Sequence, residues 1–96
     1  MPRVTLAEQA LADLERLQKF VSERDPQSSS SVLETLLDAL AILERHPHIG
    51  RPIEGALREL VISSGAAGHV ALYRVREHLD RVEVLALRYQ REAGFG

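Results

Sequence analysis

The chain has 96 residues and a mass of 10.7 kDa, enough for one hydrophobic core and too little for two. Hydrophobic residues make up 45% and charged residues 27%, the balance of a globular chain rather than a disordered or collagen-like one. With no cysteine, a disulfide framework, a thiolate nucleophile and a zinc–thiolate site are excluded, and a net charge of −2 lacks the footprint of a non-specific nucleic-acid binder.

Met1-Pro2-Arg3-Val4 does not carry the basic region and apolar core of a signal peptide, and no apolar run reaches transmembrane length. The expected compartment is therefore the cytoplasm, with no membrane association. The charge is unevenly placed. Residues 1–50 hold five basic and eight acidic side chains, whereas residues 51–96 hold seven basic and six acidic. Eleven of the twelve basic residues are arginines, and Lys19 is the one lysine. Arginine presents a planar fork to carboxylates and phosphates.

Met1–Val4 reads as a short edge strand. Over residues 6–23, Leu6, Ala10, Leu14, Leu17 and Val21 recur at three- and four-residue steps, which predicts a helix with those residues on one face and Leu11 widening it. Glu8, Asp13, Glu15, Arg16 and Lys19 fall elsewhere on the wheel. Thr5 and Glu8 stand in capping-box register. Asp25-Pro26 and the serine-rich stretch to Ser31 read as a turn. A second helix is predicted over 32–45, with Val32, Leu33, Leu36, Leu37, Leu40 and Leu43 as its apolar stripe and Ile42 beside it. Ser31 and Glu34 repeat the capping spacing, and Pro47 stops the helix. Two such helices joined by a short turn form an antiparallel hairpin.

Beyond Gly55 the period changes from near 3.6 to near 2. Leu57–Ser63, His69–Arg76 and Arg81–Tyr89 read as three strands of an antiparallel meander, separated by Gly65-Ala66-Ala67-Gly68 and by Glu77–Asp80. Ala71, Tyr73 and Val75 share one face of the second strand. Val82, Val84 and Ala86 share one face of the third, with Leu85 and Leu87 on the other. The expected fold is α+β, in the order β-α-α-β-β-β, with the helical hairpin packed on a small antiparallel sheet. Leu14, Leu36, Leu40, Leu72 and Val84 are expected between the two layers. The whole chain, 1–96, is expected to form a single domain.

No hydrolase, P-loop or metalloprotease motif is present. His46-Pro47-His48 offers two imidazoles without a third ligand nearby, so capping for His46 and exposure for His48 are expected, with no metal and no cofactor. In the loop Ile49–Gly55, Arg51 either bonds nearby carbonyls or Glu54, or touches a target. Arg58, Arg74, Arg76, Arg88 and Arg91 form the more informative set. Arg74 and Arg76 share a sheet face, and Arg74 and Arg88 are expected on adjacent strands, bracketing a basic surface with Tyr73 and Tyr89. Such a patch suits RNA stacking or a protein hot spot. The alternative is cross-strand ion pairing with Glu59, Glu77 and Glu83.

Several segments resemble the ParE branch of the RelE/ParE toxin superfamily. They are His46-Pro47-His48-Ile49-Gly50-Arg51-Pro52, Leu57-Arg58-Glu59-Leu60, Ala71-Leu72-Tyr73-Arg74-Val75 and the ending Val84-Leu85-Ala86-Leu87-Arg88-Tyr89-Gln90-Arg91-Glu92-Ala93-Gly94-Phe95. In that ending Tyr89 stands where the branch often has histidine. The resemblance implies a plasmid-stabilisation type of toxin, neutralised by a cognate antitoxin in a hetero-oligomer, with no direct DNA binding by the toxin alone. It implies DNA gyrase as the target, reached by Arg88, Tyr89 and Arg91, while Arg58, Tyr73, Arg74 and Arg76 meet the antitoxin. On this reading the protein inhibits by binding and is not an enzyme. Two alternatives stay open: a ribosome-dependent messenger-RNA endoribonuclease of the RelE type, and an inactive relic that still binds antitoxin. A nuclease needs a proton acceptor that arginine cannot supply, and of the histidines His69 starts a strand and has no evident orienting partner in sequence.

Overall fold

A computed structural model describes residues 2–24, 29–64 and 67–89. In chain order these form β1 (Arg3–Leu6), α1 (Glu8–Arg24), α2 (Ser29–Arg45), β2 (Arg51–Glu54), β3 (Leu57–Ser64), β4 (Ala67–Arg76), a short 3₁₀ turn (Glu77–Leu79) and β5 (Arg81–Tyr89). The sheet order is β1-β5-β4-β3-β2. The meander β3-β4-β5 and the β2-β3 hairpin are antiparallel, whereas β1 runs parallel to β5, with Arg3 opposite Arg81 and Leu6 opposite Val84. The α+β architecture agrees with the sequence reading. The sheet differs in being mixed and in gaining β2, whose four residues are all exposed. Pro52 lacks an N–H and is tolerated because β2 is an edge strand, and Gly55 turns the chain into β3 at φ +57°.

Both helices pack on one face of the sheet. From α1 come Ala10 and Leu17, from α2 come Leu36, Ala39, Leu40 and Leu43, and from the sheet come Ile62, Ala71, Tyr73, Val82, Val84 and Leu87. Burial of this contiguous apolar face is the main force joining the two layers. Leu36, Leu40 and Val84 are buried as expected, and Leu14 is half-buried against the same core. Leu72 is not part of it. It pairs with Glu59 and Ala86 and alternates with the buried Ala71 and Tyr73, so it lies on the face away from the helices.

Four local expectations are corrected. Thr5 does not cap α1: it lies within β1, and its hydroxyl donates a long bond to Val82 O at 3.5 Å. Ser31 lies inside α2 rather than at its start. The Ser/Thr-x-x-Glu spacing arises in both places without the geometry it signals. The face of α1 is also rotated from the expected one, because Asp13 is buried while Leu11 is exposed. Finally, the pairing of β4 with β5 shifts between Leu72 and Tyr73, skipping Leu85. This bulge inverts the alternation, so Leu87 rather than Ala86 joins Val82 and Val84 in the core. No described helix is long and apolar enough to cross a membrane.

Candidate functional site

The loop between α2 and β2 is seated by one aromatic side chain. Tyr73 on β4 is fully buried, and its hydroxyl oxygen accepts the Gly50 N–H at 2.8 Å. A Cβ on Gly50 would stand 2.5 Å from that oxygen, 2.6 Å from the ring and 2.9 Å from the Glu59 carbonyl, so only glycine allows the approach. Arg58, opposite Tyr73 on β3, donates from Nη1 to the carbonyls of Gly50 at 2.7 Å and His48 at 3.1 Å. Burial raises the Tyr73 pKa, and the Gly50 N–H and the Arg58 charge only partly offset that rise. The phenol therefore stays protonated near neutrality. A cleft of about 370 Å³ opens beside this seat, with His48, Arg58, Arg76 and His78 among its lining.

On the face away from the helices, Glu83 of β5 holds two arginines of β4. Its Oε1 accepts Arg74 Nε at 2.7 Å and Arg76 Nη1 at 3.3 Å. The Arg74 hydrogen bond, helped by both guanidinium charges, keeps the Glu83 carboxyl below the usual carboxylate value. Two cations share one anion, so the cluster carries surplus positive charge. Nearby acids follow the same habit: Glu59 takes Arg51 at 2.8 Å, in place of the expected Glu54, and exposed Glu77 takes His48 at 2.9 Å.

The third constellation lies along the outer edge of β5. There Asp13 of α1 accepts the Leu87 N–H at 3.0 Å and Arg88 Nη1 at 2.6 Å, both on Oδ2, while Gln9 donates to Oδ1 at 2.9 Å. Burial alone would raise the Asp13 pKa. The bonds from Leu87 and Gln9 and the Arg88 charge and bond together outweigh it, and the carboxyl stays below its ordinary value.

A helical hairpin on a five-stranded sheet whose exposed cations are arginines narrows the comparison with known proteins. The family model described as the ParE toxin of the type II toxin–antitoxin system parDE matches residues 4–94. This chain belongs to the ParE toxin family. It is 32% identical over 92 residues to Toxin RelE3 of Caulobacter vibrioides, an alignment covering 96% of this chain and 98% of that one. Its fold is that of the chain matched in the intact RelBE toxin–antitoxin complex of E. coli, with TM-score 0.66 and 20% identity over 91% of this chain and 94% of that one. The RelBE2 complex of Mycobacterium tuberculosis gives TM-score 0.61 and 22% identity, over 93% and 99% respectively.

Within this ParE-family fold the residues singled out from sequence separate into groups. The expected surface of Arg74 and Arg88 flanked by Tyr73 and Tyr89 is not assembled. Tyr73 points into the core, and Arg74 pairs with Glu83 while Arg88 stands opposite Val70, well along the strand. Arg74 and Arg76 remain together, with side chains 40% and 34% exposed. Arg58 serves the loop. His69 is fully buried in β4. The Tyr89 backbone pairs with His69 at the end of β5, and Arg91, with the rest of the ending, lies outside the described residues. Asp13 was missed by the periodicity argument. Its only signals were an acid one turn from Gln9 and three residues from Arg16, neither of which marks a buried carboxylate.

Proposed function

We propose that this ParE-family chain is the toxin of a type II pair, neutralised in the cytoplasm by a protein antitoxin, and that once released it inhibits DNA gyrase by binding it. The observation that favours the binding mode is that the cations exposed on the sheet are arginines, while three of the groups able to move a proton are sealed away. The Tyr73 phenol and the His69 ring are fully buried, and Asp13 is buried beneath Arg88. Cutting RNA needs a base for the ribose 2′-hydroxyl and an acid for the leaving oxygen. The cations exposed on the sheet are guanidinium groups, which bind and orient anions but do not accept protons; the exposed imidazoles lie off the sheet, with His46 and His48 after α2 and His78 in the turn before β5, and His48 is bonded to Glu77 at 2.9 Å.

The antitoxin is drawn to the surplus charge of Arg74 and Arg76, which exchange part of their hold on Glu83 for acidic residues of the partner. Arg58 and Tyr73 support that surface from the loop seat and from below. The toxin–antitoxin complexes with this fold support such a partner. Gyrase is met by Arg88 with Tyr89 and Arg91.

The RelE name of the 32% identical relative favours a second reading, ribosome-dependent cleavage of messenger RNA. Supercoiling by purified gyrase, run beside cleavage in programmed ribosomes, tests both. Inhibition of supercoiling at micromolar toxin with intact messenger RNA is the expected result. Cleavage without inhibition overturns the proposal in favour of the nuclease, and neither activity alongside tight antitoxin binding leaves a relic.

A further inference from the structure

β1 pairs with β5 only from Arg81 to Val84, and the Ala7 N–H closes that ladder on the Val84 carbonyl. The chain then turns into α1, so from Leu85 onward no strand among the described residues lies beside the outer edge of β5. An open edge amide would normally bond water or a further strand. Here α1 runs along the edge and supplies a carboxylate instead. Asp13 is 2% exposed, and its Oδ2 takes the Leu87 N–H just where a sixth strand would present a carbonyl.

A backbone acceptor would end its work there, but a carboxylate also carries charge, and Asp13 uses it on the next residue. The same Oδ2 accepts Arg88 Nη1 at 2.6 Å, and that nitrogen also donates to the Leu87 carbonyl at 3.1 Å. Gln9 steadies the other oxygen, and Arg16 Nη2 lies 3.8 Å from it. Both Arg88 bonds use one terminal nitrogen, and its side chain keeps 36% exposure. The guanidinium is thus clamped at one prong while the remainder of the fork stays accessible. A fork pre-oriented in this way binds an external carboxylate with less loss of side-chain freedom.

We propose that Asp13 is the positioning residue for Arg88, aiming its free N–H groups at an acidic group on the surface of the toxin's target. The proposal rests on the target-contact role given to Arg88 above and deepens it: Asp13 touches no partner and acts through the end of β5.

Asp13→Asn separates this role from simple edge support, because the asparagine oxygen still accepts the Leu87 N–H while the charge that clamps Arg88 is gone. Supercoiling inhibition, growth arrest in cells lacking antitoxin, antitoxin affinity and chemical denaturation are measured for wild type, Asp13→Asn, Arg88→Ala and the double variant. Asp13→Asn is expected to weaken inhibition and growth arrest about tenfold, the scale of one charged contact that loses its geometry. Antitoxin affinity stays within about twofold, a difference of a few tenths of a kcal/mol. On the Arg88→Ala background, Asp13→Asn adds less than about twofold, because its effect runs through a side chain already removed. Full activity in folded Asp13→Asn overturns the proposal, as do losses that multiply in the double variant. Should Asp13→Asn not fold, Gln9→Ala takes its place. It loosens the carboxylate without removing it, and no change in activity overturns the proposal. A wild type that arrests growth but leaves supercoiling untouched removes gyrase as the target, and growth arrest across the same four proteins then judges Asp13 alone. A wild type inert in both assays overturns both readings.

Discussion

Two buried side-chain oxygens each accept a backbone N–H at the margins of this sheet, and they differ in charge. Tyr73 on the central strand β4 receives Gly50 through a neutral phenol, while Asp13 on α1 receives Leu87 through a carboxylate. Each also stands beside an arginine. Arg58 donates from one nitrogen to two backbone carbonyls, with no carboxylate of the described residues on it, and joins the Tyr73 seat as part of the scaffold. Arg88 is held by one nitrogen and remains a third exposed. A neutral acceptor needs no counter-charge and can be sealed in. A charged one must be paired, and pairing it with a half-exposed arginine leaves a polar group poised at the surface. The first arrangement fixes a loop; the second fixes a strand end and presents a cation.

The sharpest way to break the comparison is at Gly50. Gly50→Ala places a Cβ against Tyr73 and the Glu59 carbonyl, which cannot both move. Overpacking and the lost bond together should lower stability by about 3 kcal/mol in chemical denaturation. A change below about 0.5 kcal/mol would mean the loop is not seated on Tyr73. Asp13→Ala comes next, at about 2 kcal/mol. It strands the buried Leu87 N–H, while the part of the Arg88 pairing that reaches solvent is discounted.

Acid titration distinguishes the two oxygens directly. The Asp13 carboxyl has a folded pKa below its ordinary value of 3.8, so its stabilisation is complete above that value and is lost as pH falls through the lower folded value. The stability gap between wild type and Asp13→Ala should therefore be constant near neutrality and shrink below about pH 3.8. The gap for Tyr73→Phe, about 1 kcal/mol from an unsatisfied Gly50 N–H, should not change over the same range, because the phenol ionises only above its ordinary value of 10.0. Equal acid sensitivity of both gaps would erase the distinction. The smallest effect is expected at Arg74. Its pairing with Glu83 is only partly buried, so Arg74→Glu, which sets two carboxylates side by side, should lower the denaturation midpoint by less than Tyr73→Phe does while weakening antitoxin binding more at low salt than at high salt.

Much of the fold was legible because the apolar repeats are strong. The Leu36, Leu40 and Leu43 stripe places α2 on the core, and the alternation about Ala71, Tyr73 and Val75 marks β4 as a strand, although its inward face is the one with Ala71 and Tyr73 and not the expected one with Leu72. β2 was read as a loop because four exposed residues containing a proline carry no alternation. The bulge at Leu85 was hidden because nothing in Val-Leu-Ala-Leu distinguishes a skipped residue from a regular strand. The site was less legible. The two-residue spacing of Arg74 and Arg76 puts them on a common face, and cross-strand pairing with Glu83 follows from the meander. Tyr73 was expected at the surface because an aromatic beside arginines reads as a hot spot, whereas its partner is an amide 23 residues away. Asp13 meets Leu87 and Arg88 at separations of 74 and 75 residues, which no local pattern encodes.

Equilibrium binding of the purified toxin to purified gyrase tests the central claim most directly, with wild type, Arg74→Ala and Arg88→Ala compared at one salt concentration. The account predicts a wild-type Kd of about one micromolar or tighter, unchanged affinity for Arg74→Ala and a loss of about tenfold or more for Arg88→Ala. No detectable binding of the wild type at about ten micromolar, or equal losses at the two arginines, would contradict it.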